Sequence, residues 1–325
     1  MSNKISNKTL AGIFGVLAFI FLFLFVWNGD KNERSFRNEL VTIDTASVTE
    51  IVIMPKAKQH GEVKLFKDDE NWRVKLDEES SAPVADDKIA GLLTQLTSIK
   101  PQRLAARGKD KFTDFQVDST GTRVKVYEDG DETLDIILGR FNFQQQPQQQ
   151  GMPNFGRQQP KMSTYVRLGS DTDIYEVDGF LETYFNQAPN AFRNGSIVKS
   201  DYQKWNELTF SYPADTSFQL IKMNDEWFAN DEKTDSAKTV NFLRQLANIR
   251  NNGFIDDVDT ENLGASDYKL TIKTEDGEVI DINAYFKQGK YIIHSSQNSE
   301  AYFDGNNAKL GEKIFVGMSK VMPDK

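Results

Sequence analysis

The sequence predicts an α+β protein: a single N-terminal transmembrane helix, then a duplicated domain in which each copy is an antiparallel β-sheet with one packed amphipathic helix. Three observations carry this. Leu10 to Trp27 is free of charge over eighteen positions. Short apolar runs are separated by Asp-Gly and Asp/Asn turns too short for the crossovers of a parallel sheet. The same series of motifs then returns about 150 residues later, at a spacing set by its paired helix residues Leu93/Leu243, Leu96/Leu246 and Ile99/Ile249.

Residues 1–9 read as a cytoplasmic tail and 10–27 as the membrane segment. As a helix the segment spans roughly 27 Å, close to the thickness of a hydrocarbon core. Thirteen of its residues are Leu, Ile, Val or Phe, which sum to about −4 to −8 kcal/mol of insertion free energy. A cleaved signal peptide is the alternative, but Val26-Trp27-Asn28-Gly29-Asp30 offers no small-residue cleavage pattern. The absence of Cys excludes an acylated lipoprotein anchor, thiol catalysis, disulfides and thiolate metal sites. Lys4 and Lys8 before the segment and Lys31, Arg34 and Arg37 after it nearly balance. The expected orientation keeps the N-terminus inside and the large domain periplasmic or extracytoplasmic, at a bacterial inner membrane.

With Lys4 and Lys8 set aside, 37 Lys and Arg remain against 48 Asp and Glu. An acidic surface without a basic run is a poor binder of nucleic acid, which demands clustered cations.

Residues 28–47 form a polar spacer. The first copy, 48–178, opens with strands at Val48–Met54, Glu62–Phe66 and Trp72–Leu76. A helix follows, capped by Asp86 or Asp87, with Ile89, Leu92, Leu93, Leu96 and Ile99 on one face and Pro101 at its end. Strands Arg123–Tyr127 and Thr133–Leu138 turn through Asp129-Gly130, and Thr164–Arg167 and Ile174–Val177 turn through Gly169-Ser170-Asp171. A connector, 179–204, holds a short helix at Phe180–Phe185. The second copy, 205–304, repeats the order: Phe218–Trp227 matches Val63–Trp72, Asp276-Gly277 repeats the hairpin, and Tyr291–His294 matches Tyr165–Leu168. Residues 305–325 close the chain with an apolar stripe of Leu310, Ile314, Phe315, Met318, Val321 and Met322, expected to pack on the second copy.

The copies differ at 141–162, a Gln/Pro-rich loop only the first copy has. Its composition cannot bury enough apolar surface to offset the entropy of ordering, so it reads as a floppy loop. Phe141, Phe143 and Phe155 make it a candidate partner-contact segment as well. Trp72 and Trp227, at matching positions, are candidate groove aromatics, though matching residues of a duplicated fold are more often core.

No catalytic pattern appears. His60 and His294 are the only histidines, there is no G-x-S-x-G elbow and no H-E-x-x-H, and the acidic clusters at 68–70, 171–173 and 256–257 lack calcium-loop spacing. No metal, cofactor or enzymatic activity is expected.

Several segments, Asn71–Leu76, Ala85–Leu96, Phe112–Val117, Ile137–Gly139 and Phe192–Val198, resemble bacterial membrane-anchored proteins of the family called domain of unknown function 4340, DUF4340. The resemblance covers most of 48–304, and the Gln-rich insertion departs from it. It implies a non-enzymatic inner-membrane protein similar to those encoded beside gliding-motility-type ABC transporter components, with a permease or ATPase complex as partner. The expected function is therefore an accessory or scaffold component of an ABC transport system acting through protein contacts. The alternative is a periplasmic glycan- or peptide-binding module using the groove between copies, and after it a carboxylate-based hydrolase, which 48 acidic residues neither support nor exclude.

Overall fold

The computed structural model describes residues 37–324 except 57–59, 145–160, 214 and 288. It corrects the expected fold class. Among the described residues, two large antiparallel sheets of nine and eight strands dominate and only two helices exceed two turns, so the described part is mainly β. The predicted transmembrane helix at 10–27 lies outside the described residues, and among those described no helix is long and apolar enough to cross a membrane.

The first sheet comprises β1 (Val48–Met54), β2 (Val63–Asp68), β3 (Asn71–Lys75), β4 (Ser81–Pro83), β5 (Pro101–Arg107), β6 (Thr122–Glu128), β7 (Asp131–Gln144), β8 (Lys161–Leu168) and β9 (Asp173–Asp178). Helix α1 (Asp86–Thr97) links β4 to β5. The second sheet comprises β10 (Trp205–Ser211), β11 (Phe218–Met223), β12 (Glu226–Ala229), β13 (Glu232–Lys233), β14 (Tyr268–Thr274), β15 (Val279–Lys287), β16 (Lys290–Ser295) and β17 (Asn298–Asp304), with α2 (Ser236–Leu246) after β13. Spatial order is β4-β3-β2-β1-β6-β7-β8-β9-β5 in one and β13-β12-β11-β10-β14-β15-β16-β17 in the other. Apart from β5 the orders coincide, and both first strands carry a register irregularity near their start, at Val48/Glu50 and Trp205/Glu207.

Alternation explains the cores. Ile51, Ile53, Val124, Val126, Ile136 and Leu138 share one face of the first sheet, where Ile89, Leu92 and Leu96 of α1 pack on them. Leu208, Phe210, Leu270, Ile272, Ile280 and Ile282 do the same in the second, under Phe242, Leu243 and Leu246 of α2. Side chains one residue out of phase face the other way: Ile137, Tyr165 and Ile174 form a smaller core behind the first sheet with Val117, covered by Phe112 and Phe115. Gly139 permits that cover, since a Cβ there would lie 2.3 Å from the Phe115 carbonyl oxygen.

Local expectations shift in four places. Helix α1 starts from Ala85 with no side-chain cap, so neither Asp86 nor Asp87 is its cap residue. In the expected loop 141–162, β7 runs on through Gln144 and β8 begins at Lys161, because Phe141-Asn142-Phe143 alternates as a strand does. His294 lies opposite Asn283 and Arg167 opposite Ile137, whereas Leu168 lies opposite Ile136. With Asn283 matched to Ile137, His294 therefore corresponds to Arg167, one residue from the sequence match. The segment after α1, polar and Ala-containing, is strand β5 at the sheet edge.

The sheets meet through residues 192–199. Val84 bridges Arg193, and the Asn194 amide donates to the Pro83 carbonyl at 2.7 Å. Farther along, Ser196 bridges Arg250, and Asn298 Nδ2 donates to the Asn194 and Ser196 carbonyls at 2.7 and 3.1 Å. Arg193 is 5% exposed. Its fork holds Asp256 at 3.0 and 2.7 Å, and its guanidinium lies 3.8 Å from the Phe254 ring centroid. Arg73 adds a two-pronged contact to Glu300 at 3.3 and 2.8 Å, and Arg250 reaches Asp87 at 3.5 Å.

Candidate functional site

Strands β7 and β8 pair as far as Gln144 and Lys161, and Phe141 and Phe143 lie in that last stretch of the pair. Register places Phe143 opposite Met162, and the Gly179 amide donates to the Met162 carbonyl at 2.9 Å. That bond, with Gly179 at φ +98°, a conformation few other residues adopt readily, brings Phe180 against the hairpin. The Phe141 ring lies 4.7 Å from Phe180 and 6.4 Å from Phe143. Phe143, Met162 and Phe180 are 48%, 46% and 39% exposed, so four large apolar side chains form a surface patch. Clustered apolar exposure of this kind marks contact sites more often than isolated exposed residues do.

Of the three phenylalanines predicted from sequence, Phe141 and Phe143 are thus together, and Phe155 lies outside the described residues. Met162 and Phe180 escaped sequence reasoning because only strand register and the Gly179 turn bring them to the hairpin. The corresponding β15–β16 hairpin pairs Phe286 with Tyr291, rings 4.9 Å apart, and Phe286 is 51% exposed.

Behind the sheet, beside the same hairpin, is a polar group. Glu176 is almost fully buried, accepts from Ser163 Oγ at 2.6 Å and pairs with Arg103. Burial pushes the Glu176 carboxyl up, but the Ser163 hydroxyl, Arg103 and Asn142 outweigh it and hold it below its ordinary value. Arg140 lies over Phe115 and Tyr165, 5.3 and 5.4 Å from their centroids. The Glu176 contacts tie β8, β9 and β5 together beside the patch.

Trp72 and Trp227 occupy matching registers, opposite Lys67 and Lys222. Each is partly buried against the core of its own sheet. His294 contacts the Ser299 carbonyl through Nε2 at 3.1 Å and stacks on Tyr302. Two of the acidic clusters make structural contacts: Asp171 Oδ1 accepts from the Thr172 and Asp173 amides, and Asp256 receives Arg193 at the joint. Among the described residues no group of three or more His, Asp or Glu is placed to hold a metal ion.

No curated protein and no solved structure matches the chain. A family match covers residues 72–271, more than half of the sequence, from β3 of the first sheet to β14 of the second and so across the joint. The chain belongs to the family described as Domain of unknown function (DUF4340).

Proposed function

We propose that this protein works without catalysis, by holding other proteins, as an accessory or scaffold component of an ABC transport system. The observation that supports this reading is the patch in which Phe143, Met162 and Phe180 are exposed around the half-buried Phe141, beside the Ser163, Glu176 and Arg103 contacts that tie β8, β9 and β5 together. Aromatic and Met side chains are the composition enriched at protein interfaces. The assignment to a transport system draws on the family resemblance in the sequence. Placement at the bacterial cytoplasmic membrane, with both sheets on its outer side, belongs to the same proposal and draws on the uncharged sequence Leu10–Trp27.

The test is purification of the tagged full chain from membranes in mild detergent, with co-purifying proteins identified by mass spectrometry. A permease and its ATPase are expected with the wild type, and the pair Phe143→Ser and Phe180→Ser should lose them while keeping the wild-type melting temperature. Recovery of the wild-type chain alone would overturn the reading.

A further inference from the structure

The chain has no cysteine and seven methionines, so its sulfur chemistry rests on thioethers. Among the described residues Met54, Met318 and Met322 are half-buried, the last two packed against the second core. Met162 and Met223 stand apart, 46% and 45% exposed. Met162 belongs to the aromatic patch of the first sheet, and Met223 ends strand β11 of the second.

Met162 lies opposite Phe143 in the β7–β8 ladder, and its carbonyl receives the Gly179 amide that brings Phe180 to the hairpin. The other members of the patch, Phe141, Phe143 and Phe180, are plain hydrocarbon rings. Met162 is therefore the one side chain of the patch whose polarity a mild oxidant changes. The corresponding hairpin of the second sheet pairs Phe286 with Tyr291 and holds no sulfur.

The reaction needs only a hydroperoxide. Its terminal oxygen passes to the Met162 sulfur: the S–O bond forms and the O–O bond breaks. The thioether is oxidised by two electrons to the sulfoxide, and the peroxide is reduced to the alcohol, or to water from hydrogen peroxide. A strong hydrogen-bond acceptor then stands in the middle of an apolar surface. Water satisfies it on the free chain, but an apolar partner closing over the patch removes that water and offers no donor in return.

The fold tolerates the change. Neighbouring residues of a strand point to opposite faces, and Ser163, next in β8, is buried and donates to Glu176 at 2.6 Å. Met162 points away from that contact, so the added oxygen lies on the exposed side and displaces nothing from either core.

We propose, resting on the reading of the patch as a contact site, that Met162 is an oxidation-controlled element of that site. As the thioether it lets the patch close on its protein partner; as the sulfoxide it prevents closure. The bound partner in turn shields the Met162 sulfur and leaves Met223 open to oxidant.

The experiment treats a mild-detergent extract of membranes holding the tagged full chain with graded hydrogen peroxide, quenches it with free methionine, and separates complexed from free chain by size. Peptide mass spectrometry then reads sulfoxide at Met162 and Met223 in each fraction. Met162 sulfoxide should be at least about tenfold scarcer in the complex than in the free chain, the factor set by one buried unsatisfied acceptor, with Met223 sulfoxide equal in the two. Recovery of the permease and ATPase should fall as Met162 sulfoxide rises and return when methionine sulfoxide reductase and a thiol remove it. Met162→Leu, similar in volume and free of sulfur, should keep its partners through the treatment, while Met223→Leu loses them as the wild type does. The sulfoxide distribution within the wild type decides the matter even where Met162→Leu folds poorly. Untreated wild type without a partner overturns the contact reading and this proposal with it. Equal Met162 sulfoxide in the two fractions, or partner loss from folded Met162→Leu as steep as from the wild type, overturns this proposal alone.

Discussion

Replacing Arg193 with Ala should uncouple the two sheets. The side chain is nearly fully buried, forks onto Asp256 at 3.0 and 2.7 Å, and stacks 3.8 Å from the Phe254 centroid. Charge-assisted hydrogen bonds contribute about 1.5–3 kcal/mol when buried. Asp256 is 56% exposed at its side chain, so water screens the pair and its share falls to about 1 kcal/mol. The stacked cation adds about 1–2 kcal/mol where one partner is desolvated. The total is about 2–3 kcal/mol, which for a unit of this size lowers the melting temperature by roughly 4–12 °C. Because Arg193 also carries the bridge to Val84, the loss falls on the joint more than on either core. The assay is thermal unfolding followed by tryptophan fluorescence with and without Trp72→Phe, which separates the first sheet's Trp72 signal from that of Trp27, Trp205 and Trp227. Wild type should unfold in one transition and Arg193→Ala in two, with Arg193→Lys between them because it keeps the charge and loses the fork. An Arg193→Ala melt that superposes on wild type would refute the reasoning.

Two further outcomes concern the first sheet. Gly139→Ala would set a Cβ 2.3 Å from the Phe115 carbonyl oxygen and 2.7 Å from Val117 Cγ1; neither can yield without shifting the cover of the rear core, so denaturant unfolding should show a loss of about 1–3 kcal/mol. Glu176 has its carboxyl depressed in the folded protein, so its stabilising contribution is fully present above the unfolded value and is lost as pH falls through the folded one. The stability difference between wild type and Glu176→Gln should stay constant from neutral pH down to the ordinary Glu value of 4.5 and shrink below it, and a difference that grows on acidification would contradict the assignment.

What the sequence made legible was whatever is encoded locally. Asp129-Gly130 announces a hairpin because both residues adopt positive φ, +49° and +95°, as a two-residue turn of that hand requires. Helix α1 follows from the spacing of Ile89, Leu92 and Leu96. Elements set by their neighbours were not legible. Strand β5, Pro101-Gln-Arg-Leu-Ala-Ala-Arg, has neither alternation nor strong strand formers, and is a strand because β9 offers it an edge. The balance of helix and sheet is obscured in the sequence for the same reason: short strands and edge strands leave weak marks, whereas one amphipathic helix leaves a strong one. Of the candidate site, Phe141 and Phe143 could be read from their apolar character in a polar stretch. Met162 and Phe180 could not, since their proximity depends on register. The one-residue offset of His294 has the same origin, because counting along a repeat does not reveal where a turn gained a residue.

The strand order also determines where this chain can be divided. The family match runs from Trp72 to Thr271, yet β1 and β2, the strands that join β3 to β6, lie before it, and β15, β16 and β17 lie after it. A fragment trimmed to those limits would keep β3 and β4 with nothing to attach them to β6, and would cut β14 short as a raw edge with the apolar side of Leu270 uncovered. Such a piece would be an aggregating remnant. For this protein the unit of inheritance recognised in the sequence is therefore narrower than the unit that can fold, which extends at least from Leu40, buried ahead of β1, to Val321, buried against the second core.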